Sequence, residues 1–409
     1  MTGQPVRFSP TRDHGVPGTP DGAPKLLFVL PSLGGGGAER ASVDLLRGID
    51  RQRFHITLVL FTRSGRFLQE LPRDLPLYDL QGRQSYDLRL VWRLAGVLRR
   101  ENPDVVFSVL RYTNLITLLA CRLAGTPARV VVIEHNLPSA EFALFGGGRL
   151  KAWFLKRLYP RADVVAAVAT AIARELTTVY GLSCDKVQVI PNPVDLERVK
   201  TLALEKLEQP WFGAGQPVLV AVGRLHPQKG FAHLIRAFSS VRQTLPCKLV
   251  ILGEGPLRDE LESLIASLGL ADDISLPGFQ PNPYNYLLNS AAFVLSSLFE
   301  ALPTVLVEAL ALGVPVVSTR YSVEPDDIIT DGVTGIFVPP ADEGALAQAI
   351  LRVLQDHELR RRLSANGPLR AADFATERVV AQYEALFQRL SSRSADPAQD
   401  AGCNPATTS

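Results

Sequence analysis

Cysteine is scarce in this sequence and forms no pattern. The 409 residues hold four, Cys121, Cys184, Cys247 and Cys403. None makes a C-x-x-C pair, and their spacings fit no zinc-binding arrangement. Four thiols in so long a chain fit reduced side chains in a cytoplasmic protein, not a disulfide framework. Excess charge of one sign is also lacking. The 43 Lys and Arg nearly balance 41 Asp and Glu, for a formal net charge of +2, which argues against a dedicated nucleic-acid binder. No apolar run is long enough to span a membrane. The most apolar stretch, Ala301 to Val317, is broken by Pro303, Glu308 and Pro315, whereas a span needs about 20 apolar residues in succession. The polar, Pro- and Gly-rich first 24 residues lack the apolar segment of a signal peptide and read as a disordered lead.

What is present is ample core-forming material. Hydrophobic residues make up 46% and charged residues 21%. The length exceeds what one core usually serves, so two domains are expected. Short apolar runs alternate with amphipathic stretches. Strands are expected at Leu26–Leu30, His55–Phe61, Val105–Val109, Val130–Glu134, Val164–Val168 and Val187–Ile190. Helices are expected between them at Ala38–Arg47, Leu88–Arg100, Leu115–Leu123, Leu150–Leu158 and Ala171–Val179. The pattern repeats with strands at Val218–Val222, Leu249–Leu252, Ile274–Leu276, Phe293–Ser296, Pro315–Ser318 and Gly335–Val338. Three closing helices follow, Gly344–Gln355, Glu358–Asn366 and Glu377–Leu390. Strand–helix alternation of this kind builds parallel sheets covered on both faces. The expected fold class is α/β, two tandem Rossmann-like doubly wound domains facing a central cleft. Residues 25–199 form the first, 200–215 a linker and 216–375 the second. A helix over 376–391 packs back on the first domain, and 392–409 form a disordered tail.

Ligands of such sheets bind beyond the carboxyl ends of the strands, where loops feed helix N-termini. Five motifs fall at these positions. Phe299-Glu300-Ala301-Leu302-Pro303-Thr304-Val305-Leu306-Val307-Glu308 leads from a strand into a helix. Pro303 suits the first helical position, and the free amides from Thr304 on can hold a diphosphate. Helical side chains lean toward the N-terminus, which brings Glu308 back over Thr304, where its carboxylate can accept from two ribose hydroxyls. Glu300 precedes the helix, where sugar hydroxyls would sit. A solvated Glu300 and a helix-capping Glu308 would give the same pattern. Gly223-Arg224-Leu225-His226-Pro227-Gln228-Lys229-Gly230 follows another strand. No metal motif is present, so Arg224 and Lys229 are the available counter-charges for a leaving phosphate; an ordinary basic loop is the alternative. Gly34-Gly35-Gly36-Gly37-Ala38-Glu39-Arg40 lets backbone approach a ligand, but it matches neither a P-loop nor the dinucleotide fingerprint. Glu134-His135-Asn136 and Leu252-Gly253-Glu254-Gly255-Pro256 complete the set.

The order of these motifs resembles the retaining glycosyltransferases of the two-domain B-type fold, family 4. The resemblance runs from about Lys25 to Leu390 and rests on Gly34–Gly37, His135, Arg224 with Lys229-Gly230, Gly253-Glu254-Gly255, and the E-x7-E pair Glu300 and Glu308. Asp331-Gly332-Val333-Thr334-Gly335 with Val338-Pro339 is similar to that family's closing signature. The resemblance implies that Arg224 and Lys229 bind the diphosphate and that Glu308 binds the ribose. Glu300 and His135 would meet the sugar, and Gly36 or Gly37 would approach phosphate or sugar. Gly253, Leu302, Thr304 and Val305 would line the donor site. It also implies metal-independent transfer with retained anomeric configuration, by front-face attack, and no cofactor. The family's common form has glycines after the first Glu; here stands Ala301-Leu302-Pro303, similar to the bacterial polysaccharide and lipid-linked oligosaccharide enzymes. A Ser-Gly-Pro often seen later reads Ser322-Val323-Glu324-Pro325. The expected partners are a nucleotide-sugar donor, by family frequency a UDP-sugar, and a glycan or polyprenyl-linked acceptor.

Residues 148–159 are basic and aromatic. Leu150, Trp153, Phe154 and Leu158 recur at helical spacing, with Lys151, Lys156 and Arg157 among them. Peripheral contact with the inner face of the plasma membrane fits; so does a buried amphipathic helix with a solvated basic face. Two rival functions stay open: a nucleotide-sugar epimerase of the same architecture, and a non-catalytic nucleotide-sugar-binding subunit.

Overall fold

The computed structural model describes residues 22–34, 36–82, 87–139, 142, 148–321 and 327–392. Most of the expected N-terminal lead, the tail beyond 392, Gly35 and the Ser322–Pro325 stretch lie outside the described residues. The chain divides into two compact units, Met1–Pro193 with Glu377–Ser409, and Val194–Thr376.

The first unit holds seven parallel strands: β1 (Lys25–Leu30), β2 (His55–Leu60), β3 (Leu77–Asp79), β4 (Val105–Val109), β5 (Arg129–Glu134), β6 (Val164–Ala167) and β7 (Val187–Val189). Their order is β3-β2-β1-β4-β5-β6-β7. Strands β1, β4 and β5 are almost wholly buried Val, Leu, Ile and Phe, as expected when helices cover both faces. The last helix, Thr376–Ser392, returns to this unit. Its Phe387 is fully buried, with ring centroids 5.4 Å from Phe107, 6.0 Å from Phe28 and 6.3 Å from Phe54. Glu384 fixes the same helix by accepting from the Asp50 amide and from Arg53 Nη1, at 2.8 and 2.7 Å.

The second unit holds six parallel strands: β8 (Val218–Val222), β9 (Lys248–Leu252), β10 (Ile274–Gly278), β11 (Ala292–Leu295), β12 (Val316–Thr319) and β13 (Ile336–Val338), in the order β10-β9-β8-β11-β12-β13. Both units are thus Rossmann-like, as expected. The order reverses between β8 and β11, the switch point where such sheets open a crevice.

Four local readings are corrected. The first unit ends at Pro193, not 199, and residues 200–215 are no free linker. Helix Leu196–Ala203 is capped by Asp195, which accepts from the Arg198 amide, and it buries Val199 and Ala203 in the second unit. Asn282 Nδ2 donates to Leu202 C=O at 2.7 Å, and Phe212 packs edge-on to Tyr286 at 5.8 Å. Charge along 200–215 concealed this apolar footing. Strand β3 was not foreseen, being three half-buried residues at a sheet edge. Helix Arg111–Ala124 starts four residues earlier than expected, because polar Arg111, Thr113 and Asn114 are themselves buried. Helix His357–Ala371 continues through Gly367 and Pro368. A Cβ at Gly367 would lie 2.9 Å from Leu310 C=O, so glycine here permits close helix packing instead of ending the helix.

Among the described residues no helix is long and apolar enough to cross a membrane. Phe387→Ala is expected to destabilise the first unit by about 3–5 kcal/mol, read as a lowered unfolding midpoint in urea followed by near-UV circular dichroism.

Candidate functional site

In the second unit the loops after β8 and β11 meet at the switch point and are laced together. Gly230 takes φ 62°, and a Cβ there would sit 2.2 Å from Ser296 C=O. Ser296 Oγ donates to Lys229 C=O at 2.8 Å, and the Leu298 amide donates to Gln228 C=O at 2.8 Å. Gln228 Nε2 donates to Phe299 C=O at 3.0 Å and reaches Glu300 Oε2 at 3.4 Å. Glu300 Oε1 also accepts from Ser297 Oγ at 2.7 Å and pairs with Lys229 Nζ. The two charged side chains are 11% and 19% exposed, so the pair is shielded from bulk water without being sealed. The structure thus brings Glu300 and Lys229 together. Arg224 stays exposed, with no ion pair among the described residues.

The neighbouring loop is equally constrained. Gly253 takes φ 143°, and a Cβ would lie 1.9 Å from Gly223 C=O; at Gly255 it would lie 2.3 Å from Leu225 C=O. The Gly223 amide donates to Leu252 C=O and the Leu225 amide to Glu254 C=O, both at 2.9 Å. These glycines are required by backbone-to-backbone packing under the site. Glu254 is exposed, and Arg258 beside it holds its carboxyl below the usual range.

Helix Thr304–Ala311 begins one residue later than expected. Pro303 occupies the cap position with ψ 98°, and the Leu306 amide donates to Pro303 C=O at 3.0 Å. Proline carries no N–H, so the amides ahead of that bond are those of Thr304 and Val305. Thr304, Val305 and Glu308 are half-buried, and Leu302 is buried. The Asp331–Gly335 segment is a turn feeding β13: the Gly332 amide donates to Gly335 C=O, and Asp331 Oδ1 accepts from the Phe337 amide.

Three expected residues lie in the first unit. Gly36 caps helix Gly37–Gly48 with extended backbone. An added Cβ at Gly37 would meet nothing within 4 Å, and one at Gly36 only the flexible end of Glu39. The fold itself therefore does not demand glycine at either place. His135 follows β5. The residue is half-buried, but both ring nitrogens are shut off from water and have no hydrogen-bond partner. Burial lowers its pKa to about 4. Sequence reasoning missed Gln228 and Ser297, which had no charge to mark them, and the residues that surround His135.

Two tandem Rossmann-like units, the second with an ammonium–carboxylate pair where the loops after β8 and β11 meet, form the architecture of the two-domain glycosyltransferases. Residues 205–370 match the family model described as Glycosyl transferases group 1, and residues 35–198 match Glycosyltransferase Family 4. A Campylobacter jejuni protein, N-acetylgalactosamine-N,N'-diacetylbacillosaminyl-diphospho-undecaprenol 4-alpha-N-acetylgalactosaminyltransferase, is 31% identical over 360 residues, 86% of this chain and 95% of that one. The Rhizobium meliloti lipopolysaccharide core biosynthesis glycosyltransferase LpsE is 34% identical over 356 residues, 86% and 96% of the two chains. The crystal structure of Anabaena Alr3699/HepE in complex with UDP-glucose shares the fold, with TM-score 0.75 at 21% identity over 90% of this chain and all of that one. The chain belongs to the family 4 glycosyltransferases of the B-type fold and is a glycosyltransferase.

The glycine geometry separates two kinds of position. Gly253→Ala should lower stability by at least ~2 kcal/mol, because it combines positive φ with a backbone clash. Gly37→Ala should leave the thermal midpoint within about a degree or raise it, since alanine favours a helix by up to ~1 kcal/mol. Differential scanning fluorimetry of the two variants checks both.

Proposed function

We propose that the chain moves a hexose or N-acetylhexosamine from a UDP-sugar to a glycan or polyprenyl-diphosphate-linked acceptor, with retention and without a metal. The observation that carries this reading is the shielded Lys229–Glu300 pair at the β8–β11 switch point, with Glu300 on the loop that leads into helix Thr304–Ala311. An ammonium on the loops that feed a helix N-terminus, together with that helix's first amides, suits a diphosphate. A carboxylate has about four acceptor positions. Ser297, Gln228 and Lys229 occupy three of them on Glu300, which leaves one for a sugar hydroxyl and a second once Lys229 turns to phosphate. Arg224, exposed and in no ion pair among the described residues, adds the second counter-charge. Glu308 meets the ribose, and Gly253 and Leu302 border the donor; Gly36 or Gly37 and His135 are the first unit's own candidates for phosphate or sugar.

In this reading the acceptor oxygen bonds to the anomeric carbon on the face from which the nucleoside diphosphate departs. The acceptor proton passes to the leaving phosphate oxygen, and Lys229, Arg224 and the two amides stabilise the charge that develops there. The lipid-linked acceptor draws support from the C. jejuni relative, whose name specifies a diphospho-undecaprenol-linked sugar. It draws further support from helix Gly148–Leu158. Leu155 and Leu158 are buried, while Leu150, Trp153 and Phe154 are 63%, 53% and 38% exposed. That places three large apolar side chains in solvent, with exposed Lys156 and Arg157 close by. An exposed apolar and basic helix suits the interface of an anionic membrane, at the cytoplasmic face.

Lys229→Met is expected to weaken UDP binding by roughly tenfold to a hundredfold, as a lost charge-assisted contact of about 1.5–3 kcal/mol requires. Glu300→Gln should cut kcat/KM by about 10²–10³ while UDP binding changes little. Calorimetry with UDP and a transfer assay with UDP-sugars read these, and full transfer by Glu300→Gln would remove Glu300 from the site. In flotation with phosphatidylglycerol-containing vesicles, wild-type chain should rise with the lipid. Trp153→Ser with Lys156→Glu and Arg157→Glu should stay behind; co-flotation of both would dismiss the membrane contact.

A further inference from the structure

Strand β4 passes into its helix through Leu110 alone, at φ 73° and ψ 139°, a region that residues with a Cβ rarely occupy. This abrupt turn sets Arg111 and Asn114 beneath the end of β5. Arg111 Nη2 donates to Glu134 Oε2 at 2.6 Å and to Asn136 C=O at 3.3 Å. Asn114 Nδ2 donates to Ile133 C=O at 2.8 Å and to Tyr159 Oη at 3.2 Å, and its Oδ1 accepts from Ser108 Oγ at 2.8 Å. Tyr159, fully buried, donates its hydroxyl to Glu134 Oε1. The donors run in one consistent direction, from Ser108 through Asn114 and Tyr159 to Glu134, and Arg111 closes the chain from the other side.

The bonds converge on residues 133, 134 and 136, and the residue between them is His135. A buried ion pair is weak grounds for stability, since apolar side chains of similar volume often do as well. Its value lies in orientation. Phe142 lies 4.9 Å from the Arg111 guanidinium and limits its freedom further.

We propose that Arg111, Asn114, Glu134 and Tyr159 are positioning residues that clamp the end of β5 so that the His135 imidazole is held in one orientation, shut off from water and with neither nitrogen taken by a protein group, in reserve for a ligand hydroxyl. The sugar as that ligand rests on the function proposed above; the clamp does not. The charged groups on the two flanking elements, Glu134 and Arg111, are paired with each other, and burial alone keeps the imidazole neutral. A neutral ring presents one donor and one acceptor, which suits a hydroxyl.

The test is the imidazole carbon–proton spectrum of the full chain between pH 4 and 8, with His135→Gln assigning the resonance among six histidines. In wild type the His135 signal should hold its neutral position through most of this range and begin to move only near its lower end, as a pKa of about 4 requires. In Tyr159→Phe, which keeps the ring volume, and in Arg111→Lys, the loosened imidazole reaches water and its midpoint rises by at least about one unit toward the ordinary value near 6.5. Stability follows with a defined sign. Between about pH 6.5 and 4 the unfolded chain takes up a proton that the native chain refuses, so wild type loses stability as pH falls through that window. The two variants should lose less over the same window, measured as the shift in urea midpoint from pH 7 to 5. A His135 midpoint unchanged in Tyr159→Phe would overturn the clamp. A raised midpoint with normal glycosyl transfer by His135→Gln would keep the clamp and remove only the sugar from the reading.

Discussion

Parallel strands all run out at the same edge of a sheet, and the returning helices leave that edge lined with loops and helix N-termini. Both units obey this constraint, and it gathers residues distant in sequence. In the second unit β8 and β11 are neighbours although two strands intervene in the chain, so the loop holding Lys229 lies against the loop holding Glu300. The hydrogen bonds from Ser296, Leu298 and Gln228 then make the two loops one body. In the first unit the adjacency of β4 and β5 places Arg111 beside Glu134 in the same way.

These two ion pairs do different physical work. Glu134 is 1% exposed and its partner Arg111 8%. Charges so deeply enclosed exchange partners only at the cost of an unpaired buried ion, so the arrangement is fixed. Lys229 and Glu300 keep partial contact with solvent, where swapping one partner for another costs far less. Such a pair can remain satisfied in an empty site and still hand its ammonium to an incoming anion. Burial thus assigns one pair to architecture and the other to exchange.

Much of the fold was legible because fully buried parallel strands read as apolar runs rich in Val, Leu and Ile, as β1, β4, β5 and β8 do, and twelve of the thirteen strands were foreseen. The exception, Leu77-Tyr78-Asp79, is short and half-buried. Misreadings arose where polarity and burial part company. Arg111, Thr113 and Asn114 look like a loop and are interior; Lys200 to Gly215 looks like a solvated linker and carries docked Phe212. Of the site, the charged positions were legible because charge before a helix is conspicuous. Gln228 and Ser297 were not, since their role exists only once β8 and β11 lie side by side. The helix at 148–158 was foreseen, but its periodicity left open whether the apolar residues face solvent or core: Leu155 and Leu158 are buried, and Leu150, Trp153 and Phe154 are exposed.

The glycines at 230, 253 and 255 carry a consequence at the level of the gene. Each touches backbone where a Cβ would stand, so the objection is to any side chain at all, whatever its size or charge. Every amino acid one nucleotide away from a glycine codon has a Cβ. These three codons therefore have no conservative missense neighbour, and a mutational scan would show them as flat columns of intolerance. The codons of Gly36 and Gly37 face no such veto from the fold, and whatever intolerance they show would report on the ligand instead.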